Sequence, residues 1–245
     1  MAAVLLSGCG AGSTISGSGS PATARKSPSP TASPTPAGNG IDALTPEQVV
    51  VKARAAMIAA KSVRVKGNVV DGTEKLTFDM RLQKAGSVAA GTMTISGQGV
   101  ELLRLGKIVY MKASAGFWKA QGGTAAAAAM FAGKYVKLPM TGADMQDFAQ
   151  FTDIGLFAKN VLESSDMGGV TKTKPATVNG VRALGLKDTD GVLYVALDGA
   201  PYPIRLALTD SVNQGIDFLD YNKPVTASTP PAAEVLDPAT LGGGN

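Results

Sequence analysis

No histidine occurs in this chain, cysteine occurs once, and Phe, Trp and Tyr together make up only 5% of its 245 residues. Each shortage excludes a chemistry. Without histidine there is neither a Ser-His-Asp triad nor a histidine-based metal site. A single cysteine forbids an internal disulfide, and no apolar run approaches the ~18 residues of a membrane span. Gly133-Lys134 lacks the following Ser/Thr and the earlier glycine of a phosphate loop, and Gly97-Gln98-Gly99 is too short for a dinucleotide fingerprint. Carboxylate pairs exist at Glu163/Asp166 and Asp188/Asp190, but the second pair sits at a turn, where Asp is common for conformational reasons. No Ser-x-x-Lys stands in the folded part. The expectation is a protein without catalysis, cofactor or metal.

Charge of either sign is also sparse. Twenty-three Lys and Arg against nineteen Asp and Glu give a net +4, scattered along the chain. Such a pattern describes a solvated mixed surface and predicts no nucleic-acid partner, while leaving a mild attraction to anionic lipid headgroups.

What is present begins with Leu6-Ser7-Gly8-Cys9. A short apolar run, two small residues and the lone cysteine look like a lipobox, in which the cysteine thiol is acylated and the preceding peptide removed. A complete signal needs a basic start and about 7–15 apolar residues. Met1–Leu6 is shorter than that, so residues 1–8 are expected to be the end of a longer signal whose start lies upstream. The other reading is a small-residue N-terminus with no signal function. Acyl chains on Cys9 would place the protein on the extracytoplasmic face of the cell membrane, each buried methylene contributing ~0.8 kcal/mol. Residues 9–40 then form a tether of Gly, Ser, Thr, Ala and Pro. Its thirty-one residues after Cys9 reach roughly 30 Å as a coil and about 95 Å as polyproline II.

The folded domain is expected over 41–237, with a flexible tail over 238–245. A helix should start at Thr45, with Pro46 at its first position, Gln48 closing a capping box, and Leu44 and Val49 as a hydrophobic staple. Val49, Ala53, Ala56, Met57 and Ala60 share one helical face. Then the period falls to 2. Val63–Val69, Leu76–Leu82, Met93–Ile95, Val100–Leu105, Ile108–Lys112 and Phe117–Ala120 predict six strands, with Asp71-Gly72, Gly97/Gly99, Gly106 and Gly116 as breaks. A helical interlude follows, with Thr124, Asp144 and Asp153 as candidate caps. Its alanine run either packs closely on a neighbour or leaves room for an apolar ligand. Five more strands follow: Val170–Lys174, Val181–Lys187, Val192–Leu197, Ile204–Thr209 and Ile216–Tyr221. About eleven strands kept apart from the helices predict an α+β fold, with helices on one face of a large antiparallel sheet.

This order of elements resembles the LppX/LprG lipoproteins of actinobacteria, which are related in fold to the carriers LolA and LolB. The closest local matches are Val109-Tyr110-Met111-Lys112 before Phe117-Trp118, Val178-Asn179-Gly180-Val181, Pro203-Ile204-Arg205, and Asp220-Tyr221-Asn222-Lys223-Pro224-Val225. The resemblance covers Leu44 to Asp237. It implies a curved half-barrel wrapped around helices on its concave face, enclosing an apolar cavity for an acylated lipid or lipoglycan.

Candidate cavity residues are Phe78, Met80, Leu82, Met93 and Ile95 from the strands and Met130, Phe131, Phe148, Phe151 and Phe157 from the insert. Each could equally be plain core. Two functions therefore remain. One is a monomeric carrier, moving an acylated lipid through the envelope with an export transporter as a candidate partner. The other is a packed interaction or sensor module that binds a protein or wall polymer.

Overall fold

Helix α1 (Pro46–Ala59) starts as its sequence dictates. The Thr45 side chain accepts from the Gln48 amide, Gln48 Oε1 accepts from the Thr45 amide at 3.1 Å, and Val49, Ala53 and Met57 are buried. The computed structural model describes residues 38–71, 74–84, 88–140, 146–162, 169–208 and 214–241. Cys9, the lipobox and the tether to residue 37 lie outside them, as do Asp144, Glu163, Asp166, Thr209, Asn213 and the Gly72 end of the first turn.

The fold is α+β, a curved, open sheet of thirteen strands wrapped with helices. A first meander contains β1 (Ser62–Asp71), β2 (Glu74–Gln83), β3 (Val88–Ile95), β4 (Gln98–Leu105), β5 (Ile108–Ala113) and, beyond two helices, β6 (Tyr135–Pro139). The second contains β7 (Thr171–Lys172), β8 (Ala176–Val178), β9 (Val181–Lys187), β10 (Gly191–Ala196), β11 (Pro203–Leu208) and β12 (Gly215–Leu219). β1 pairs antiparallel with β12, which joins the meanders into one sheet. β13 (Val235–Leu236) pairs with β6 in parallel, so the sheet is mixed and not wholly antiparallel.

Between the meanders lie α2 (Ala115–Ala120), α3 (Ala125–Phe131), α4 (Gln146–Ala149) and α5 (Ile154–Leu162), and α6 (Pro238–Leu241) ends the described chain.

Four expectations are corrected. Phe117–Ala120 is helix, because Ser114 caps the Phe117 amide and turns the chain before β-pairing can continue. Gly116 lies inside that helix and Gly99 inside β4, so neither is a break. The domain begins before residue 41: Asn39 Nδ2 donates to Ala196 O at 2.9 Å and its amide donates to Leu197 O at 2.8 Å. Residues 238–241 are helix, with Asp237 Oδ1 accepting from Ala239.

Alternation along the strands separates two faces. On the inner face Val65, Met80, Gly91, Leu102, Met111 and Val136 form one cross-strand row. The next row runs Gly67, Phe78, Met93, Val100 and Ala113. Gly67 is bare for a reason: a Cβ there would sit 2.2 Å from the Phe78 ring, which lies across it. α1 and α5 pack over this face, and Ala53, Met57, Phe157 and Ala158 join the sheet residues in one core. The outer face carries Arg64, Asp79, Arg205 and Asp217, paired as Arg64–Asp79 and Arg205–Asp217.

After β12 the chain turns at Asp220 and Asn222, both with positive φ. Residues 223–234 then cross the outer face and end at β13. The crossing is pinned at its start by Ser62 Oγ donating to Lys223 O. At its end Lys134 Nζ donates to Ala233 O and Lys137 pairs with Asp237 at 2.8 Å.

Candidate functional site

Among the described residues the inner face stays open at one end. Beyond the Phe78 row the strands β2 and β3 extend to Leu76 and Ile95, which pair directly. Helix α4 brings Phe148 opposite them, and Phe151 follows in the turn before α5. Leu76, Met93, Ile95, Phe148 and Phe151 enclose an apolar crevice of about 180 Å³, with Glu74, Lys75 and Gln150 at its mouth. The crevice is open to solvent, and its apolar lining has the chemistry to take the end of an acyl chain.

Its floor is aromatic. Phe151 lies 5.6 Å from Phe78 and 6.4 Å from Phe157, centroid to centroid, and Phe157 lies 6.3 Å from Phe218. These tilted and edge-on contacts carry the crevice wall into the centre of the core, each contributing ~0.5–1.5 kcal/mol beyond area burial.

A polar contact fixes the α4–α5 part of the insert to the sheet. Arg104 occupies the inner row beside Ala89 and Val109. Its Nε donates to Gly106 O at 2.9 Å and its Nη1 to Thr152 Oγ1 at 3.2 Å. Thr152 is fully buried, and its hydroxyl donates back to Phe148 O and Ala149 O. The Asp153 carboxylate then caps α5 through the Leu156 amide, as expected from sequence.

The ten candidate cavity residues divide into three groups. Met93, Ile95, Phe148 and Phe151 meet at the crevice. Phe78, Met80, Leu82 and Phe157 are buried in the core and do not line this crevice. Met130 and Phe131 belong elsewhere: Met130 is 45% exposed on α3, and Phe131 stands against Trp118, 5.5 Å away. Seven-residue α3 packs on α2 instead of the crevice, which removes both from the candidate site. Sequence reasoning missed Leu76, Arg104 and Thr152. Leu76 shares the alternation of Phe78 and could have been found; nothing in the sequence marks Arg104 as facing inward.

A second concavity of about 400 Å³ lies on the opposite face, between the crossing segment and β3, β4 and β6. Thr92, Glu101, Tyr135 and Glu234 line it, with Ser228 to Pro231 as a lip. The Tyr135 hydroxyl donates to Glu101, and Lys112 lies 4.9 Å over the Tyr135 ring. Burial, and then the hydrogen bond to Glu101, push the Tyr135 phenol up to about 12. Among the described residues no group of three His, Cys, Asp or Glu side chains gathers to hold a metal ion, and no helix is long and apolar enough to cross a membrane.

No family model matches the chain, and no curated protein matches it. Among solved structures, an uncharacterized conserved protein from Thermus thermophilus matches with a TM-score of 0.35 and 10% identity, covering 78% of this chain and 98% of that one. That likeness is too loose to carry an argument about fold or function.

Proposed function

We propose that this chain is a membrane-anchored envelope lipoprotein that receives an acyl chain of a lipid or lipoglycan at the crevice between the β2–β3 end and α4. The observation that supports this reading most directly is the crevice itself, lined by five apolar side chains together with Glu74, Lys75 and Gln150. Such a site suits a ligand with an apolar tail and a polar head.

The crevice holds only part of a long chain. About ten to sixteen methylenes would gain roughly 8–13 kcal/mol in gross transfer terms, before ordering costs. Realising that gain requires Phe148 and Phe151 to swing away from the sheet, and these residues stand on a four-residue helix and a turn. The reading thus assigns α4 as a gate, hinged where Arg104 holds Thr152. The chain carries no histidine with which to turn such a ligand over, and the proposal is transport without catalysis.

The test is mass spectrometry of the protein purified from an actinobacterial host, paired with uptake of a fluorescent fatty acid in vitro. A reproducible co-purifying acylated lipid and saturable uptake support the carrier. Clean protein with no uptake overturns it. The anchoring half has its own test, because Cys9→Ser should move the protein from the membrane fraction to the medium.

A further inference from the structure

Helix α1 is apolar on two opposite faces, and among the described residues only one of them is covered. Val49, Ala53 and Met57 face the core. At 3.6 residues per turn the opposite face presents Val51, Ala55, Ile58 and Ala59, with the exposed Glu47 on the same side one turn before Val51. All four apolar residues are exposed, Val51 at 56% and Ile58 at 41%. Lys52 borders this stripe on one side and Arg54 on the other. Neither has an ion-pair partner among the described residues.

Three occupants could cover such a stripe. The chain's own upstream segment is poorly suited: between Cys9 and Gly38 its sole large apolar residue is Ile15, and its charges are Arg25 and Lys26, the same sign as the stripe's borders. A second copy of the chain is poorly matched too. A stable interface needs ~800 Å² from each partner, and two large side chains with two alanines do not supply it. A lipid surface fits both observations. Shallow apolar side chains enter the headgroup boundary, and flanking Lys and Arg reach anionic phosphates while their stems lie along the apolar layer.

We infer that the Val51–Ile58 face of α1 is a docking surface for an anionic membrane, with Lys52 and Arg54 as its headgroup contacts. This inference rests on the membrane-anchored reading above. The tether ends a few residues before α1, so acylation would hold this helix within reach of the bilayer, and the docked face then fixes which way the domain points. Each basic residue close to an anionic surface strengthens binding roughly fivefold.

The experiment uses the full chain carrying Cys9→Ser, so that no acyl group contributes, and measures flotation with phosphatidylglycerol vesicles and with phosphatidylcholine vesicles. The expected result is binding to phosphatidylglycerol that weakens with salt and is far weaker on phosphatidylcholine. Val51→Asp with Ile58→Asp should lower the affinity by at least about tenfold, with circular dichroism and a cooperative thermal transition showing that the variant is still folded. Lys52→Glu with Arg54→Glu should lower it as far on phosphatidylglycerol. The inference is overturned if the parent does not bind vesicles, or if the Asp variant binds as tightly as the parent. It is equally overturned if the parent proves to be a dimer in solution that the Asp variant dissolves. Because the protein tested is unacylated and the crevice is untouched, failure here is separate from failure of fatty-acid uptake or of the Cys9 fractionation.

Discussion

Arg104 Nη1 stands 3.2 Å from Thr152 Oγ1, so a cation on the inner row of the sheet holds the joint between α4 and α5. Removing it leaves Thr152 with its other two partners, Phe148 O and Ala149 O. Arg104→Ala should therefore cost only about 1–2 kcal/mol of stability, the net worth of the lost charged hydrogen bonds. It should nevertheless speed entry of a fluorescent fatty acid, because the gate loses its hinge pin. Denaturant unfolding and stopped-flow uptake measure the two effects. An unchanged uptake rate in a destabilised variant would mean that the contact only holds the fold.

The crevice can be filled from one side. Ile95→Trp places a larger ring in the 180 Å³ space beside Phe148 and Phe151. Fatty-acid affinity should drop at least about tenfold, with little change in unfolding midpoint because the crevice opens to solvent. Phe151→Ala works in the opposite direction. It enlarges the site and breaks the contacts with Phe78 and Phe157, costing about 2–4 kcal/mol.

Gly67→Ala examines the closest packing on the inner face. The new methyl would meet the Phe78 ring at 2.2 Å, and that ring is held by Phe151 and Phe157. The strain should be about 1–3 kcal/mol, read as a lowered midpoint in urea. Combining it with Phe78→Leu, which removes the obstructing ring edge, should cost less than the sum of the single changes. Strict additivity would show that the two residues do not share the space.

Acid should unfold the protein through its paired aspartates. Arg64, donating to Asp79 at 2.7 Å, holds the Asp79 carboxyl below the usual aspartate range. Lys223 does the same for Asp220, and Lys137 for Asp237. A carboxyl depressed in the folded state contributes stability that is present above the unfolded value of ~3.9 and is lost as pH falls through the folded value. Thermal midpoints should hold from neutral pH down to about 5 and fall below about 4. Asp79→Asn should flatten that acid limb and lower stability at pH 7. An acid limb of unchanged slope would assign the loss to the other pairs.

Much of this architecture is legible in the chain. Thr45-Pro46-Glu47-Gln48 specifies a helix start through local hydrogen bonds alone, and it forms as expected. Asn179-Gly180 specifies a tight turn because both residues must take positive φ, and both do. Leu76–Leu82 alternates so cleanly that its inward face follows. Where neighbours in space decide, the pattern misleads. Phe117-Trp118 has strand-forming residues, yet Ser114 and the packing of Trp118 against Phe131 make it helix. β6 lies hidden in a stretch that reads as a helical interlude, and its Tyr135–Pro139 run becomes a strand only because β5 offers it an edge. β13 is two residues long and parallel, and its partner lies about a hundred residues earlier. No local signal encodes that. Of the site, the apolar wall was legible in Met93, Ile95, Phe148 and Phe151. The limits of the void were not, because whether Met80 or Leu82 lines a gap or fills it is settled by every residue around it at once.

Asn39 gives the last consequence, and it is mechanical. Its side chain and amide are bound to Ala196, Leu197 and Gly199, at the turn between β10 and β11, before the chain reaches α1. Tension arriving from the upstream segment is therefore borne first by a cluster of hydrogen bonds on the sheet. They must break together in shear before the first turn of α1 can be peeled away. A pull on the chain upstream of Asn39 would leave the helix seated, and Asn39→Ala would let the same pull unwind it from the end.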